Sequence, residues 1–303
     1  MKKLIFIGIV MMAIALIVVA CTYGLRSGDY ILWTNEVRYD ELDGLHPIEE
    51  NGLWGFICTA TREMVIEPQF AWANRSSDGL AFVRGVEGRE YQTGYIDLTG
   101  NLIIPLPMIY QGSQFSEGLA FVRGIEGEEG QTGYIDLTGN LAIPLPDGAI
   151  LFGARFSEGL AFIRGVEGRD DLTGYIDLVG NLVIPIPTAI VAHDFSDGFA
   201  AIIKREWDYN EPALAVGLPG PYIFIDRAGQ NVFGREFGSV GVFRDGLAIV
   251  TLDNGNSIFI DTKGQNAFRR EFRAAFGFEG DYADVTLLNG SRVRINRSGR
   301  VVR

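Results

Sequence analysis

The sequence predicts an all-β protein made of seven tandem repeats, and two short motifs that alternate along the chain carry this prediction. The first is Phe-Ser-Glu-Gly-Leu-Ala, at residues 115–120 and 156–161, and the second is Gly-Tyr-Ile-Asp, at 94–97, 133–136 and 174–177. A self-similar period of about 40 residues is typical of repeat architectures. The residue at the leucine position of the first motif marks each unit: Leu45, Leu80, Leu119, Leu160, Phe199, Leu247 and Tyr282.

Each unit contains a segment typical of a β-strand after the first motif. In the third unit, the segment 119–123 lies between glycines, and all of its residues except Arg123 are β-branched, aromatic or apolar. The loop 124–132 is polar and rich in glycine, and residues 134–137 then predict a second strand. We therefore expect a hairpin in every unit.

A tight turn and a third strand complete the unit. Residues 136–140, Asp-Leu-Thr-Gly-Asn, separate the second strand from an apolar run at 141–143. A glycine at the penultimate position favours a type I turn with a G1 bulge, which needs positive φ there. Pro144 follows and ends the ladder, because proline has no amide proton to donate. The prediction is a three-stranded meander for each repeat.

The first unit resembles the bacterial WG-repeat family. Residues 43–57 contain the Trp54-Gly55 pair of that pattern, and residues 65–70 match its closing segment. The resemblance extends over about residues 43–303, although the middle units carry Thr-Gly in place of Trp-Gly. It implies a repeat type and no single activity.

Stacking of the seven meanders buries the apolar faces that one small sheet leaves exposed. Three strands per unit favour an open array similar to a β-hairpin solenoid, and the alternative is a seven-bladed, propeller-like ring. We expect a signal or anchor at residues 1–20, a tether at 21–42 and a repeat domain at 43–303. The expected units are 43–77, 78–116, 117–157, 158–196, 197–244, 245–279 and 280–303.

The N-terminus predicts export. Two lysines precede an apolar run from Leu4 to Ala20, which ends at Cys21 in a segment that resembles a lipobox. Cys21 is therefore the predicted lipidation site, and an uncleaved transmembrane helix is the alternative. The lipidated form and the transmembrane helix both place the remainder of the chain outside the cytoplasm, in the cell envelope. The second cysteine, Cys58, lies in an apolar segment and is expected to be buried.

A row of aspartates recurs at the head of the second turn. Their repetition resembles a catalytic or calcium-binding row, but a turn cap accounts for every member. The last unit has Asn296 in the same place, and asparagine caps such a turn equally well. We predict structural turn caps at Asp97, Asp136, Asp177, Asp226 and Asp261.

No motif for catalysis or metal binding is found in the sequence. The two histidines, His46 and His193, lie far apart, and no cysteine–histidine cluster has zinc spacing. Neither a nucleophile elbow nor a phosphate loop is present. We expect no catalytic residues, no cofactor and no metal, and therefore not an enzyme.

Aromatic residues supply weak candidates for binding. The in-phase residues Tyr95, Tyr134 and Tyr175 could form a ladder that stacks on sugars, or they could pack in the core, as Phe224 and Phe259 suggest. The fifth unit carries an insertion, 204–221, with Trp207 and Tyr209. Insertions in repeats often gather on a binding face, although a tolerated surface loop is the plainer interpretation.

Charge is distributed unevenly along the chain. Residues 21–261 contain 34 acidic and 15 basic residues, a net charge of −19, whereas residues 262–303 contain 4 and 9, a net charge of +5. The acidic body argues against nucleic-acid partners and against flat binding to anionic lipid. We expect the basic end to be a polar cap on the last repeat.

These observations favour a non-enzymatic binding or scaffold protein of the cell envelope. Its expected partners are envelope proteins or peptides, and the membrane is contacted only through the N-terminal anchor. A module that binds cell-wall glycan is the alternative function, and a passive spacer is a third.

Overall fold

In a computed structural model of the chain, the described residues are 44–302, except 87, 108, 125–131, 146–154, 165–171, 188 and 205–220. These residues form an all-β structure with one short 3-10 turn, Glu90–Gln92, and no α-helix. None of their segments is a helix with the length and hydropathy of a transmembrane span. The chain divides into two compact units, Met1–Asp147 and Gly148–Arg303.

The strands form seven small antiparallel sheets, three in the first unit and four in the second. The sheets of the first unit are sheet 1, with β1 (Leu45–Glu50), β2 (Leu53–Cys58) and β3 (Met64–Phe70); sheet 2, with β4 (Trp72–Ala73), β5 (Leu80–Arg84), β6 (Gly94–Asp97) and β7 (Leu102–Pro105); and sheet 3, with β8 (Ile109–Gly112), β9 (Leu119–Gly124), β10 (Gly133–Asp136) and β11 (Leu141–Pro144).

Four further sheets make up the second unit, in the same order along the chain. They are sheet 4, with β12 (Leu160–Ile163), β13 (Gly174–Asp177) and β14 (Leu182–Pro185); sheet 5, with β15 (Ala189–Ala192), β16 (Ala200–Lys204) and β17 (Tyr222–Ile225); sheet 6, with β18 (Ser239–Val240), β19 (Leu247–Thr251) and β20 (Ser257–Asp261); and sheet 7, with β21 (Ala274–Ala275), β22 (Tyr282–Thr286), β23 (Arg292–Asn296) and β24 (Val301–Val302).

The all-β repeat fold predicted from the sequence is confirmed, with a correction to the number of strands. Sheets 2, 3 and 7 have four strands rather than three, because a short strand pairs with the long strand of the hairpin from its other side. In sheet 2 this strand is only Trp72–Ala73. Two residues are too short to carry an alternating pattern, so the sequence contains no signal for this strand.

Two turns organise each meander. The first motif forms a two-residue turn whose flanking residues bond to each other: in sheet 4 the amide of Ser157 donates to the Leu160 carbonyl (2.9 Å), and that of Leu160 donates to Ser157 (3.2 Å). Glu158 and Gly159, between them, have φ values of 53° and 77°, which is a type I′ turn. The second turn follows the second strand, and in sheet 3 its glycine, Gly139, has the expected positive φ of 86°.

Apolar side chains join each sheet to the next within a unit. In the first unit one core cluster joins sheets 1 and 2, around Phe56 and Ile96, and another joins sheets 2 and 3, around Tyr95 and Phe115. In the second unit the described residues form three such clusters, between sheets 4 and 5, 5 and 6, and 6 and 7. Sheets 2, 5 and 6 therefore bury both faces, and contacts between neighbouring repeats stabilise each unit.

Candidate binding surface

The repeated aspartates accept hydrogen bonds from their own turns. In sheet 2, Asp97 Oδ1 accepts from the amides of Thr99 (2.8 Å) and Asn101 (2.9 Å) and from the Thr99 hydroxyl (2.7 Å). The last sheet has Asn296 in this position, and its Oδ1 accepts from the amides of Ser298 (3.1 Å) and Arg300 (3.0 Å). The same two amide bonds are present at Asp136, Asp177, Asp226 and Asp261.

This hydrogen bonding changes the acidity of Asp97. Partial burial alone raises the pKa of this carboxyl group, but the hydrogen bonds from Thr99 and Asn101 together outweigh it and hold the pKa below its ordinary value. The carboxylate is therefore occupied by its own turn. Among the described residues, no group of three or more His, Cys, Asp or Glu side chains is arranged to hold a metal ion.

We expect Asp97→Ala to lower the free energy of unfolding by about 1 kcal/mol at neutral pH, because two amides of the turn lose their acceptor. Since the pKa is lowered on folding, the contribution of the carboxylate is present above its ordinary pKa and is lost as the pH falls through the folded value. Urea unfolding at several pH values measures this. Asp97→Asn should keep most of the stability and lose its pH dependence; equal losses for the two variants would contradict the cap.

The three in-phase tyrosines lie in the core and not on a surface. Tyr95, Tyr134 and Tyr175 are each 0% exposed, so the sugar-stacking ladder considered from the sequence is wrong and core packing is correct. Each packs edge-on against a phenylalanine of the neighbouring strand, as Tyr175 does with Phe162 at 5.4 Å between ring centroids. A ring with no exposed area has no face available for a sugar.

These tyrosines also connect neighbouring sheets. The Tyr95 hydroxyl in sheet 2 donates to the Ser113 carbonyl beside sheet 3 (2.7 Å), and the Tyr175 hydroxyl donates to the His193 carbonyl (2.6 Å). Burial raises the pKa of both phenols, so they remain protonated donors at physiological pH. They are structural residues.

Several predicted residues lie outside the described residues. Cys21, Trp207 and Tyr209 all fall there. Cys58 does lie within them, at the end of β2, where it is completely buried as expected.

An unpredicted row of carboxylates links the first turns of successive sheets in the second unit. Glu158 of sheet 4 accepts from the amide of Gly198 in the corresponding turn of sheet 5, at 3.1 and 3.3 Å from its two oxygens. Asp197 of sheet 5 in turn accepts from the amide of Gly246 in sheet 6 (2.7 Å). The first turns of neighbouring repeats are therefore held together by one carboxylate per repeat.

Arginines reinforce this row. Arg227 Nη2, from the second turn of sheet 5, donates to the carbonyl of Glu158 (2.5 Å) and lies 3.2 Å from its carboxylate. Arg297 of sheet 7 makes the equivalent contact with Asp245 of sheet 6 (2.6 Å). Along this row, hydrogen bonds and ion pairs connect the turns of one sheet to those of the next.

The sequence contains a signal for this row that its analysis did not use. Asp78, Glu117, Glu158, Asp197 and Asp245 all precede a glycine and all have φ between 51° and 53°. Non-glycine residues with positive φ are uncommon, and asparagine or glycine is preferred in type I′ turns. The carboxylate contacts of Glu158 with the Gly198 amide and Arg227 offset the unfavourable backbone conformation of a glutamate at this position.

We expect Glu158→Gly to lower stability by about 1 kcal/mol even though glycine favours the left-handed backbone of this turn, because the Gly198 amide and Arg227 lose their acceptor. Glu158→Gln keeps an oxygen acceptor and should lose less. Chemical unfolding of the full chain measures both. A stability gain in the glycine variant would mean that backbone strain outweighs the carboxylate contacts.

Apolar side chains are exposed at corresponding places in several sheets. Ile103 of β7 and Val183 of β14 hold the same register position and are 52% and 47% exposed. Leu137 and Leu178, which follow the capping aspartates of sheets 3 and 4, are 46% and 44% exposed. Isolated exposed apolar residues are common, but here the repeats present them at equivalent positions.

The repeat itself is found in comparison with protein families. A model of the WG-containing repeat matches residues 54–88, 94–127 and 224–255. Each match starts in the second strand of one meander and ends in or just beyond the long strand of the following sheet, from β2 to β5, β6 to β9 and β17 to β19. The family repeat is therefore shifted relative to the sheets.

Among solved structures, low-identity similarities to β-rich folds are found. The chain resembles the computationally designed Ika8 protein (11% identity, 86% of each chain covered, TM-score 0.49) and BamB from Moraxella catarrhalis (12% identity, 88% of this chain and 86% of that one, TM-score 0.44). It also resembles the WD40 β-propeller domain of Doa1 (9% identity, 84% and 78% covered, TM-score 0.34). No curated protein matches the chain in sequence.

The resemblance predicted from Trp54-Gly55 and from the closing segment of the first unit is confirmed by these matches. One match starts at the Trp54-Gly55 pair, and another starts at Gly94, the glycine of a Thr-Gly pair. The chain therefore contains the WG-containing repeat at these three places.

Proposed function

We propose that this protein is a non-enzymatic scaffold of the cell envelope that binds protein or peptide partners along its repeat surface. The WG repeats and the β-repeat structure fit a repeat-based binding scaffold. Repeat arrays bind through extended surfaces on which small contacts add up. The recurrence of exposed apolar side chains at equivalent positions of different sheets carries the proposal.

Rigidity supports this function. The carboxylate row from Glu158 to Asp245 and the inter-sheet bonds of Tyr95 and Tyr175 connect neighbouring sheets within a unit. A surface that is already ordered loses little conformational entropy on binding, so weak repeated contacts yield more affinity. The exposed apolar positions Ile103, Leu178 and Val183 are the contacts we assign to partners.

Crosslinking and capture from intact cells test the proposal. A variant with Ile103, Leu178 and Val183 changed to serine should fold and should lose the captured envelope proteins. The matched control changes Val232, Val242 and Leu288, which are 39%, 46% and 60% exposed, to serine. Equal loss in both variants would indicate general stickiness, and capture of wall glycan without protein would favour the glycan alternative.

The proposed location is outside the cytoplasm, with an anchor at the N-terminus. The basic and apolar N-terminal sequence supports it. A lipidated Cys21 cannot share in a disulfide, and the sequence has two cysteines. Lipidation and a disulfide within one chain therefore exclude each other.

Mass spectrometry of the purified protein, with and without reduction, distinguishes the two anchors. A diacylglycerol mass on a chain that begins at Cys21 would establish the lipoprotein. A full-length chain that gains alkylation at both cysteines only after reduction would establish the uncleaved transmembrane anchor. Recovery of the protein from the cytoplasm would overturn the proposed location.

A further inference from the structure

The last sheet of the second unit differs from the sheets before it on one face. In sheet 4, Phe162 and Tyr175 are cross-strand partners, and Tyr175 packs on Phe195 of the next repeat at 4.8 Å between centroids. In sheet 7 the corresponding cross-strand partners are Asp284 and Arg294. Arg294 Nε lies 3.1 Å from Asp284 Oδ1, so an ion pair occupies the position at which sheet 4 has two buried rings.

This face is exposed to solvent. Asp284 and Arg294 have side chains that are 54% and 50% exposed. The opposite face of sheet 7 carries Ala283, Val285 and Ile295, which are buried against sheet 6. We call the exposed face, formed by Phe276, Tyr282, Asp284, Thr286, Arg292 and Arg294, the terminal face.

A cap that only ends the array explains the ion pair but not the aromatic residues beside it. Phe276 is 65% exposed and Tyr282 is 44% exposed. Phe276 lies beside the ion pair, because its amide donates to the Asp284 carbonyl (3.0 Å) and places the two residues on the same face. Exposed aromatic residues next to arginines are the composition found at the centres of protein interfaces.

The charge of the terminal face selects its partner. It carries two arginines and one aspartate, and it lies within residues 262–303, which have a net charge of +5 in an otherwise acidic chain. Arg294 already contacts Asp284, whereas Arg292, paired across strands with Thr286, has no ion-pair partner among the described residues. A partner with carboxylates complements this face, and a basic partner is repelled.

We propose that the terminal face binds a carboxylate-rich peptide segment of a partner protein. Arg292 forms an ion pair with one carboxylate of the segment, and Arg294 donates to a second carboxylate beside Asp284. The rings of Phe276 and Tyr282 pack against apolar groups of the segment. The inference rests on the proposed scaffold function and assigns it a partner chemistry. The face consists of short strands, so it fits an extended segment rather than a large domain surface.

Fluorescence anisotropy with the full chain tests this. The probe is a labelled peptide of about 12 residues, rich in glutamate and containing two tyrosines, and its lysine counterpart is the peptide control. The glutamate peptide should bind, with an affinity that falls as salt is added, and the lysine peptide should not. R292E and F276A should each weaken binding by about tenfold, because each removes a central contact.

R244E is the matched control, because Arg244 is an exposed arginine in the first turn of sheet 6 and undergoes the same change of charge. Equal weakening by R244E and R292E would overturn the proposal in favour of general electrostatic attraction. The wild-type chain could instead self-associate, with R292E abolishing the association and no peptide bound. That result would identify a second copy of the chain as the occupant of the terminal face and would also overturn the proposal.

These experiments distinguish a failure of the peptide-binding inference from a failure of the scaffold proposal. If no glutamate peptide binds, while R292E still captures the same envelope proteins from intact cells as the wild type, this inference is wrong and the scaffold function stands. If R292E loses those proteins and the peptide together, both are supported. If the peptide binds but intact cells give no captured protein, the scaffold proposal fails.

Discussion

Replacing Gly133 with alanine should lower the free energy of unfolding by more than about 3 kcal/mol, the largest effect we expect from one added methyl group. Gly133 is the glycine of the Thr-Gly pair in sheet 3 and has φ of 154°. A Cβ atom there would lie 2.2 Å from the carbonyl oxygen of Ile143 on β11. The backbone of the neighbouring strand cannot move away without breaking the hydrogen bonds between β10 and β11. The clash therefore costs stability whichever strand moves.

The same close contact is found at the corresponding glycines of sheets 1, 2 and 4. A Cβ atom at Gly55 of the Trp-Gly pair would lie 2.4 Å from the Ile66 carbonyl oxygen, and at Gly94 and Gly174 the distances to the facing carbonyls are 2.0 and 2.2 Å. The glycine of the repeat motif is therefore fixed by the close approach of the neighbouring strand, whichever residue precedes it.

Urea unfolding followed by tryptophan fluorescence measures the loss. The control is Gly118→Asn in the first turn of the same sheet, where φ is 78° and no atom lies within 4 Å of an added Cβ. Asparagine tolerates such φ values, so this variant should lose less than about 1 kcal/mol. A Gly133→Ala protein as stable as Gly118→Asn would show that β11 does not lie where we describe it.

Replacing Tyr175 with alanine should lower stability by about 3–5 kcal/mol, because a fully buried ring is lost between sheets 4 and 5. The cavity would remove contacts with both Phe162 and Phe195. Tyr175→Phe keeps the ring but leaves the His193 carbonyl without its donor, and it should cost about 1–3 kcal/mol.

Thermal and chemical unfolding of the two variants, together with binding to purified wall material, separates packing from recognition. We expect the wild type to be the most stable, Tyr175→Phe less stable and Tyr175→Ala the least stable. The folded Tyr175→Phe variant should bind wall material as the wild type does. A Tyr175→Ala protein of wild-type stability that no longer retains wall glycan would restore the sugar ladder and contradict the buried position.

The repeat architecture was predictable because its signals are local. The turn Asp136–Asn140 contains the glycine that a positive φ requires, and the apolar run of residues 119–123 becomes the long strand β9. The short strand Trp72–Ala73 was not predictable, since two residues have no periodicity and are placed only by pairing with β5.

The candidate site was predicted less well, for a physical reason. The in-phase tyrosines have the same spacing whether they face solvent or a neighbouring sheet, and only the packing of sheet 3 over Tyr95 decides between them. Likewise, Glu158 appears in the sequence as one acidic turn residue among many. Its role depends on the Gly198 amide, 40 residues away, lying within 3.1–3.3 Å.

The sequence by itself determined the all-β class, the seven repeats, the resemblance to the WG-containing repeat and the chemistry of each turn, because period, glycine positions and capping residues act within a few residues of one another. Tertiary structure alone decided which aromatic residues are core, which carboxylates link repeats and which face of sheet 7 stays open. Those properties depend on which surfaces meet when sheets stack, and stacking brings together residues that lie about 40 positions apart.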